Sequence, residues 1–244
     1  MNRPKFPFPW SSYVCVECGM PVSSLYSHVG SKQDIQLTIC EHCHNFADKY
    51  VEFDNVLIIL DLLLHKISVC RHMVFNLSVS RHHRIPYVKV ILLSLLLIAY
   101  TRLYYLDLDD PLQSNSRNLF TFWIVLLEYI VSTVILTLFC MLYFRTYKFR
   151  EVFAEVTVVL SVTPFPSLVL LFAIIWKYQL HFLLCTQLFT LSSQYLVLKT
   201  YLKSSASTAF LGILMSALSV VFIDIALSRS GYRIVSLLVP ASWD

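Results

Sequence analysis

Two cysteine pairs decide how the first part of this chain folds: Cys15-Val16-Glu17-Cys18, followed by Gly19, and Cys40-Glu41-His42-Cys43. Each C-x-x-C pair places two thiols on one turn, and two facing turns complete a tetrahedral site of four sulfurs. Gly19 suits such a turn, which often needs a residue with positive φ. The 21 residues between Cys18 and Cys40 hold too few large apolar side chains for a stable core, so we expect a metal to hold this segment together.

We predict a structural zinc ion bound by Cys15, Cys18, Cys40 and Cys43. An iron–sulfur cluster is the alternative that the same ligands allow. His42 and His44 are interpreted as surface or supporting groups, since the cysteines already supply four ligands. Alternating residues in Ile35–Ile39 and the short run Tyr13-Val14 predict small strands, as in a zinc ribbon. The predicted zinc-binding domain covers 13–54 and follows a disordered lead, 1–12.

The composition is that of a membrane protein. Of the 244 residues, 57% are hydrophobic and 14% charged, and the mean hydropathy is +0.66, whereas soluble domains have roughly 25% charged residues. The net charge of +4 is too small to indicate nucleic acid. Seven cysteines, an odd number, argue against a secreted disulfide scaffold. The first residues hold no apolar run typical of a signal peptide, so we expect the cysteine domain in the cytosol.

A helix is predicted from about Asn55 to Asn76. Its polar residues form one narrow stripe and the rest of its surface is apolar, which is typical of a helix lying in the membrane interface. The stripe consists of Asp61, His65, Ser68, His72 and Asn76. We favour a solvated polar face over a second metal site at the two histidines, with Asp61 and His65 pairing as i, i+4 neighbours. A basic collar, Arg81 to Arg84, follows in the predicted 55–85 segment, where it sets topology, binds anionic headgroups, or does both.

Five apolar segments then predict a transmembrane bundle over 86–228, since each approaches or exceeds the roughly 20 residues that a spanning helix needs. They cover about 87–105, 119–144, 156–176, 179–198 and 206–227, and a C-terminal tail, 229–244, follows. Pro164 and Pro166 lie within the third segment, which is either a kinked span or part of a re-entrant hairpin. Gly212-x-x-x-Ser216 offers a close-packing face on the fifth. The predicted fold class is a multi-pass α-helical membrane protein with a small N-terminal zinc-ribbon-like domain and an interfacial amphipathic helix.

The lysines and arginines of the short loops predict the orientation. Ten lie on the side that holds the N-terminus and four on the other, and the more positive side is cytosolic.

Two acids fall within predicted spans. Glu128 lies well inside the second, and either makes a structural hydrogen bond or lines a lipid or substrate cavity. Asp224, near the end of the fifth, is interpreted as interfacial. A membrane enzyme using Glu128 and a bundle histidine such as His181 is the least favoured hypothesis, because no paired catalytic constellation or phosphate-binding loop is visible.

From Tyr13 to Asn76 the sequence resembles the homology domain of the Arv family (ACAT-related proteins required for viability). The resemblance rests on both cysteine pairs, on Leu25-Tyr26, on Asp48-Lys49-Tyr50-Val51-Glu52-Phe53-Asp54, and on Arg71-His72-Met73-Val74-Phe75-Asn76. It implies a protein of the endoplasmic-reticulum membrane, with the Golgi as a second location. It further implies a role in sterol transport and distribution, with effects on sphingolipids and on glycosylphosphatidylinositol assembly.

We therefore expect a non-enzymatic lipid-homeostasis protein whose partners are membrane lipids: sterol, sphingolipid or glycosylphosphatidylinositol intermediates. Asp61, His65, Arg81, Arg84 and Glu128 are its candidate lipid or partner contacts. The alternative is an accessory subunit that supports glycosylphosphatidylinositol or sphingolipid synthesis by docking an enzyme complex in the same membrane.

Overall fold

The computed structural model describes residues 13–28, 35–52, 55–77, 84–109, 114–144, 149–162, 180–203 and 205–229. Within these ranges the chain is mostly helical, with a small module of strands and turns at its N-terminal end. The predicted lead 1–12, the collar residue Arg81 and the C-terminal tail beyond Arg229 lie outside the described residues.

The N-terminal module contains two antiparallel strand pairs. Strand β1 (Tyr13–Val14) pairs with β2 (Pro21–Val22), and β3 (Tyr26–His28) pairs with β4 (Ile35–Leu37). The predicted strands at Tyr13-Val14 and in the 35–39 stretch are thus confirmed, the second ending at Leu37. A 3₁₀ turn, Lys49–Val51, closes the module. Because isolated two-stranded ribbons are marginally stable at best, the module needs further support.

The single helix predicted over 55–76 is wrong, because the helix breaks at His65. Helix α1 covers Asn55–Leu63, α2 covers Ile67–Arg71, and a π-helical turn, His72–Asn76, continues α2. His65 has φ of 55°, and an L-residue in the left-handed region does not extend a right-handed helix. The break lets α1 keep most of its apolar side chains exposed, while the turn after α2 is largely buried.

In the part of the chain that the structure describes, five further helices follow: α3 (Arg84–Asp109), α4 (Ser114–Phe144), α5 (Phe149–Val162), α6 (Leu180–Leu202) and α7 (Ala206–Arg229). Helix α4 packs against α3, α5 and α7, and α6 packs against α7, α5 and α2. A Cβ added at Gly212 of α7 would lie 2.9 Å from Cε1 of Phe139 on α4. One turn further on, the hydroxyls of Ser216 and Ser132 are 2.6 Å apart. The close-packing face predicted at Gly212 and Ser216 is therefore confirmed.

One apolar core runs from the N-terminal module into the helices. The module contributes Val16 and Tyr50 to it, and α2 with its π-helical turn contributes Val69 and Val74. The helical part of the same core includes Leu136, Cys140, Val152, Val156, Val197, Leu198, Tyr201, Leu202 and Ile213. The module and the helices are therefore packed as one body, although the sequence suggested separate segments.

Two described helical stretches are long and apolar enough to cross a membrane: Leu119–Phe144, with mean hydropathy 2.3, and Ala206–Leu227, with mean hydropathy 2.4. Only 39% and 22% of the most apolar stretch of each helix is buried inside the protein. Most of their apolar surface therefore faces outward, as in a bilayer. These two helices fit a membrane protein. The third predicted span is described only as far as Val162, where α5 ends, and its prolines lie outside the described residues.

Candidate metal centre and buried ion cluster

The four predicted metal ligands come together. The sulfurs of Cys15, Cys18, Cys40 and Cys43 all lie within 4.8 Å of one another, and the Cys15–Cys43 and Cys18–Cys40 pairs are each 3.7 Å apart. A tetrahedral site with Zn–S bonds of about 2.3 Å has sulfurs roughly 3.8 Å apart. The residues present therefore fit a four-coordinate metal ion with a closed shell. Such an ion would hold the module together, while its identity is a prediction.

Two matching turns build this site. The N–H of Gly19 donates to the carbonyl of Cys15, and the N–H of His44 donates to that of Cys40, both at 2.9 Å. Gly19 has φ of 80° and His44 has φ of 57°. The second pair thus needs the same positive φ as the first, but places a histidine where glycine would be unstrained. Positive φ was predicted for Gly19 but not for His44.

The thiols of Cys15 and Cys40 differ in pKa because their surroundings differ. Burial raises the pKa of the Cys15 thiol to about 12, whereas the backbone N–H of Cys43 lowers that of Cys40 to about 7. Thiolates, rather than thiols, are metal ligands. Binding a cation at this site would therefore release protons, including the one that burial holds on Cys15.

A buried carboxylate, which the sequence analysis did not single out, joins the module to the π-helical turn. Asp48 is fully buried and lies 2.6 Å from Nδ1 of His72. It also accepts from the side-chain amide of Asn76 at 2.6 Å and from the N–H of Tyr50 at 3.0 Å. Asn76 in turn exchanges two hydrogen bonds of 2.9 Å with the backbone of Val14 in β1. The predicted solvated face is therefore wrong at His72 and Asn76.

Asp61 extends this network into α1. Its carboxylate accepts from the hydroxyl of Tyr50 at 2.9 Å and pairs with Lys66 at 2.6 Å. Burial alone would raise the pKa of Asp61, but Lys66 and Tyr50 outweigh it and hold that pKa below its usual range. The predicted Asp61–His65 pair is wrong, because Asp61 contacts Lys66 and Tyr50 instead and the helix breaks at His65. The predicted solvated face is wrong at Asp61 as well, since its side chain is buried. The lipid or partner contact proposed for Asp61 stays a prediction.

His65 points to a different neighbour. Its Nε2 lies 2.8 Å from the hydroxyl of Ser192 on α6, and its ring packs edge-on against Phe189 with centroids 4.5 Å apart. His72 instead binds Asp48, so the two histidines serve separate contacts. A shared second metal site is not formed among the described residues.

Glu128 does not stand alone in the helices. Its two carboxylate oxygens accept from Nη1 and Nη2 of Arg102 on α3 at 2.6 and 2.7 Å. Asp224 of α7 lies 3.7 Å from Nη1 of the same arginine. All three side chains are buried. The structural alternative for Glu128 is therefore the one observed. Asp224 is buried between helices beside Arg102, and its interfacial depth stays a prediction.

Arg102 is not among the residues predicted from the sequence, although it lies inside the first predicted span, 87–105. An arginine inside an apolar segment that also faces buried acids is the counter-charge that those acids require. Arg84 begins α3, and its contact with lipid stays a prediction.

The comparisons with known proteins agree with the resemblance found in the sequence. The model of the Arv1-like family matches residues 14–199. A Dictyostelium discoideum protein named Protein arv1 homolog is 29% identical over 80% of this chain and 87% of its own length. Protein ARV1 of Bos taurus is 27% identical over 84% of this chain and 75% of its own length.

The fungal relatives match over a shorter stretch. Protein ARV1 of Saccharomyces cerevisiae is 54% identical over 63 residues, which is 26% of this chain and 19% of that protein. No solved structure is similar to this chain. The family match spans both the cysteine cluster and most of the helices, and the chain therefore belongs to the Arv1-like family.

Proposed function

We propose that this protein acts in the distribution of sterols and in lipid homeostasis in the endoplasmic-reticulum membrane. It does so without catalysing a reaction, as a multi-pass membrane protein whose cysteine module lies on the cytosolic side. Membership of the Arv1-like family is the observation that carries this proposal. A metal ion, which we take to be zinc, has a structural role in it.

The exposed face of α1 supports this placement. Val56 is 66% exposed, and Leu57, Ile59 and Leu60 of the same helix are exposed as well. Just beyond α1, Leu64 is 67% exposed and Ile67 is also exposed. A short helix with such a face gains free energy by entering the apolar edge of a bilayer. On this interpretation α1 rests at the membrane surface, and the apolar outer surfaces of α4 and α7 contact lipid directly.

A photo-crosslinkable sterol incubated with the purified full-length protein tests the proposal. We expect saturable labelling that unlabelled sterol competes away and that maps to the helices rather than to the cysteine module. Changing outward-facing residues of α4 and α7, such as Trp123 and Phe222, should reduce it. An Ile39→Ala control on the module should not. Labelling that is unsaturable, or confined to the module, would refute a sterol-handling role.

The second candidate is an accessory subunit of a lipid-synthesis complex. A shallow pocket of about 440 Å³ on the module favours it, lined by Glu17, Ile39, His44, Asn45, Phe46 and Lys49. Ile39 and Phe46 are 59% and 54% exposed there, beside an exposed Lys49–Glu17 ion pair of 2.8 Å. Exposed apolar side chains ringed by charge are typical of protein-binding surfaces.

Affinity capture separates the two candidates. Under the second, the full-length protein should bring down a glycosyltransferase of glycosylphosphatidylinositol or sphingolipid synthesis, and an Ile39→Asp/Phe46→Asp variant with intact cysteines should lose it. Capture that is unaffected by these changes, or that yields no such enzyme, would count against the docking role.

A further inference from the structure

Arg71 of α2 reaches into the turn formed by the first cysteine pair. Its Nη1 donates to the carbonyl of Val16 at 2.8 Å and to that of Glu17 at 2.5 Å. A Cβ added to Gly19 would lie 3.4 Å from the guanidinium carbon. The guanidinium is therefore packed against the backbone that presents Cys15 and Cys18.

A second cation reaches the same turn from the end of α6. Nζ of Lys203 lies 3.4 Å from the carbonyl oxygen of Gly19 and 5.6 Å from the centre of the Phe75 ring. Lys203 has φ of 46°, the left-handed conformation in which α-helices commonly end. Arg71 and Lys203 are also close enough for their charges to repel. Two positive charges that meet at one turn repel each other, and a nearby negative charge would compensate for this repulsion.

A loaded metal site supplies that compensation. Four thiolates around one divalent ion leave two net negative charges, and Arg71 and Lys203 carry two positive ones. The two cations belong to α2 and to the end of α6, which are separate from the module in sequence. Groups around a metal shell that complement its ligands change metal affinity by about 10–100-fold when they are removed.

We propose that Arg71 and Lys203 are the electrostatic partners of the metal-loaded cysteine site, so that metal binding locks the N-terminal module onto α2 and α6. Because coupling between two equilibria is reciprocal, removing the metal loosens these contacts, and removing the cations weakens metal binding by the same factor. Arg71 and Lys203 act on the metal through the first turn and are positioning residues, not ligands. The proposal does not depend on which lipid the protein handles.

Zinc affinity of the full-length protein in detergent, measured by competition with a chromophoric chelator, tests the first half. We expect Arg71→Gln to weaken zinc binding about 10–100-fold and Lys203→Gln to weaken it less, since its contact is longer and its side chain more exposed. Lys199→Gln is the matched control: it removes one positive charge from the same helix as Lys203, where its Nζ lies over the Tyr195 ring, and its zinc affinity should stay within twofold of wild type. Lys203 lies at an exposed helix end, so its variant is informative even if Arg71→Gln folds poorly.

Amide hydrogen exchange tests the second half. Chelating zinc from the wild-type protein should speed exchange in 67–77 and 196–203, while α7 stays unchanged. Zinc-loaded Arg71→Gln should already show the faster exchange. The proposal is overturned if the wild type binds no zinc, if Lys199→Gln loses as much affinity as Arg71→Gln, or if chelation leaves exchange in α2 and α6 unchanged.

Discussion

The buried ion cluster gives the sharpest prediction about stability. Arg102→Leu removes the positive charge from between two buried carboxylates, whose side chains are 8% exposed at Glu128 and 3% exposed at Asp224. Removing one partner of a buried ion pair costs about 3–5 kcal/mol, because the other charge is left uncompensated. Since 1 kcal/mol moves the melting temperature of a chain of this size by about 2–4 °C, we expect Tm to fall by about 10 °C.

The geometry predicts that Arg102, Glu128 and Asp224 contribute unequally to stability. Asp224→Asn leaves Arg102 paired with Glu128 through two bonds of 2.6 and 2.7 Å. It weakens the longer contact of 3.7 Å with Arg102 and also removes the negative charge that faces Glu128. Its effect should stay within about 1 kcal/mol, the scale of a single modest hydrogen bond. The double change Arg102→Leu/Glu128→Leu replaces the whole pair by apolar groups, which is often neutral, and should recover at least half of the loss.

Thermal unfolding of the full-length protein in one detergent measures the stability of these three variants and of one control. Lys89→Leu is the control, because it removes a positive charge from an exposed position on the same helix, α3. The reasoning fails if Arg102→Leu is no less stable than Lys89→Leu, or if Asp224→Asn is the most damaging single change.

Four further outcomes are expected. Cys40→Ser should lose tightly bound zinc, which metal analysis of the purified protein measures. Gly19→Ala should cost at least about 1–2 kcal/mol of unfolding free energy because its φ is positive, whereas His44→Gly should change it by less than about 1 kcal/mol. Equal losses in thermal unfolding would refute the interpretation that both residues occupy the same positive-φ position of matching turns. The pKa of Asp61 is lowered in the folded protein, so its contribution to stability is present above the unfolded pKa of about 3.9 and is lost as pH falls through the lower folded pKa. Asp61→Asn should therefore make stability less sensitive to acid, which fluorescence-monitored acid unfolding measures. Gly212→Leu should clash with the neighbouring helix and cost about 1–3 kcal/mol as overpacking, seen as a lower Tm.

The metal site was predictable because its information is local. Both C-x-x-C pairs and Gly19 are read directly from spacing and from the φ that a tight turn requires, and the structure brings the four sulfurs together as expected. His44 was missed because histidine carries no strong signal for positive φ. Only the backbone of the second turn reveals that the residue occupies the place that Gly19 has in the first.

The polar stripe after the cysteine domain shows where reading by periodicity fails. A helical pattern places Asp61, His72 and Asn76 on one face, but it does not say what that face meets. The partners are Asp48 and Tyr50, which come earlier in the chain. Because these partners are buried, the polar face lies in the protein interior and not in solvent. The break at His65 was equally hidden, since neither glycine nor proline marks it.

Composition, the two cysteine pairs and the apolar segments thus determined the class of this protein, because each is a property of a short stretch of chain. The tertiary structure decided what those stretches do to one another. It brought Arg102 from α3 to the acids of α4 and α7, and it brought Arg71 and Lys203 to the first cysteine turn. Charges that are distant in sequence find each other only when the helices pack, because burial makes an unpaired charge too costly to leave alone.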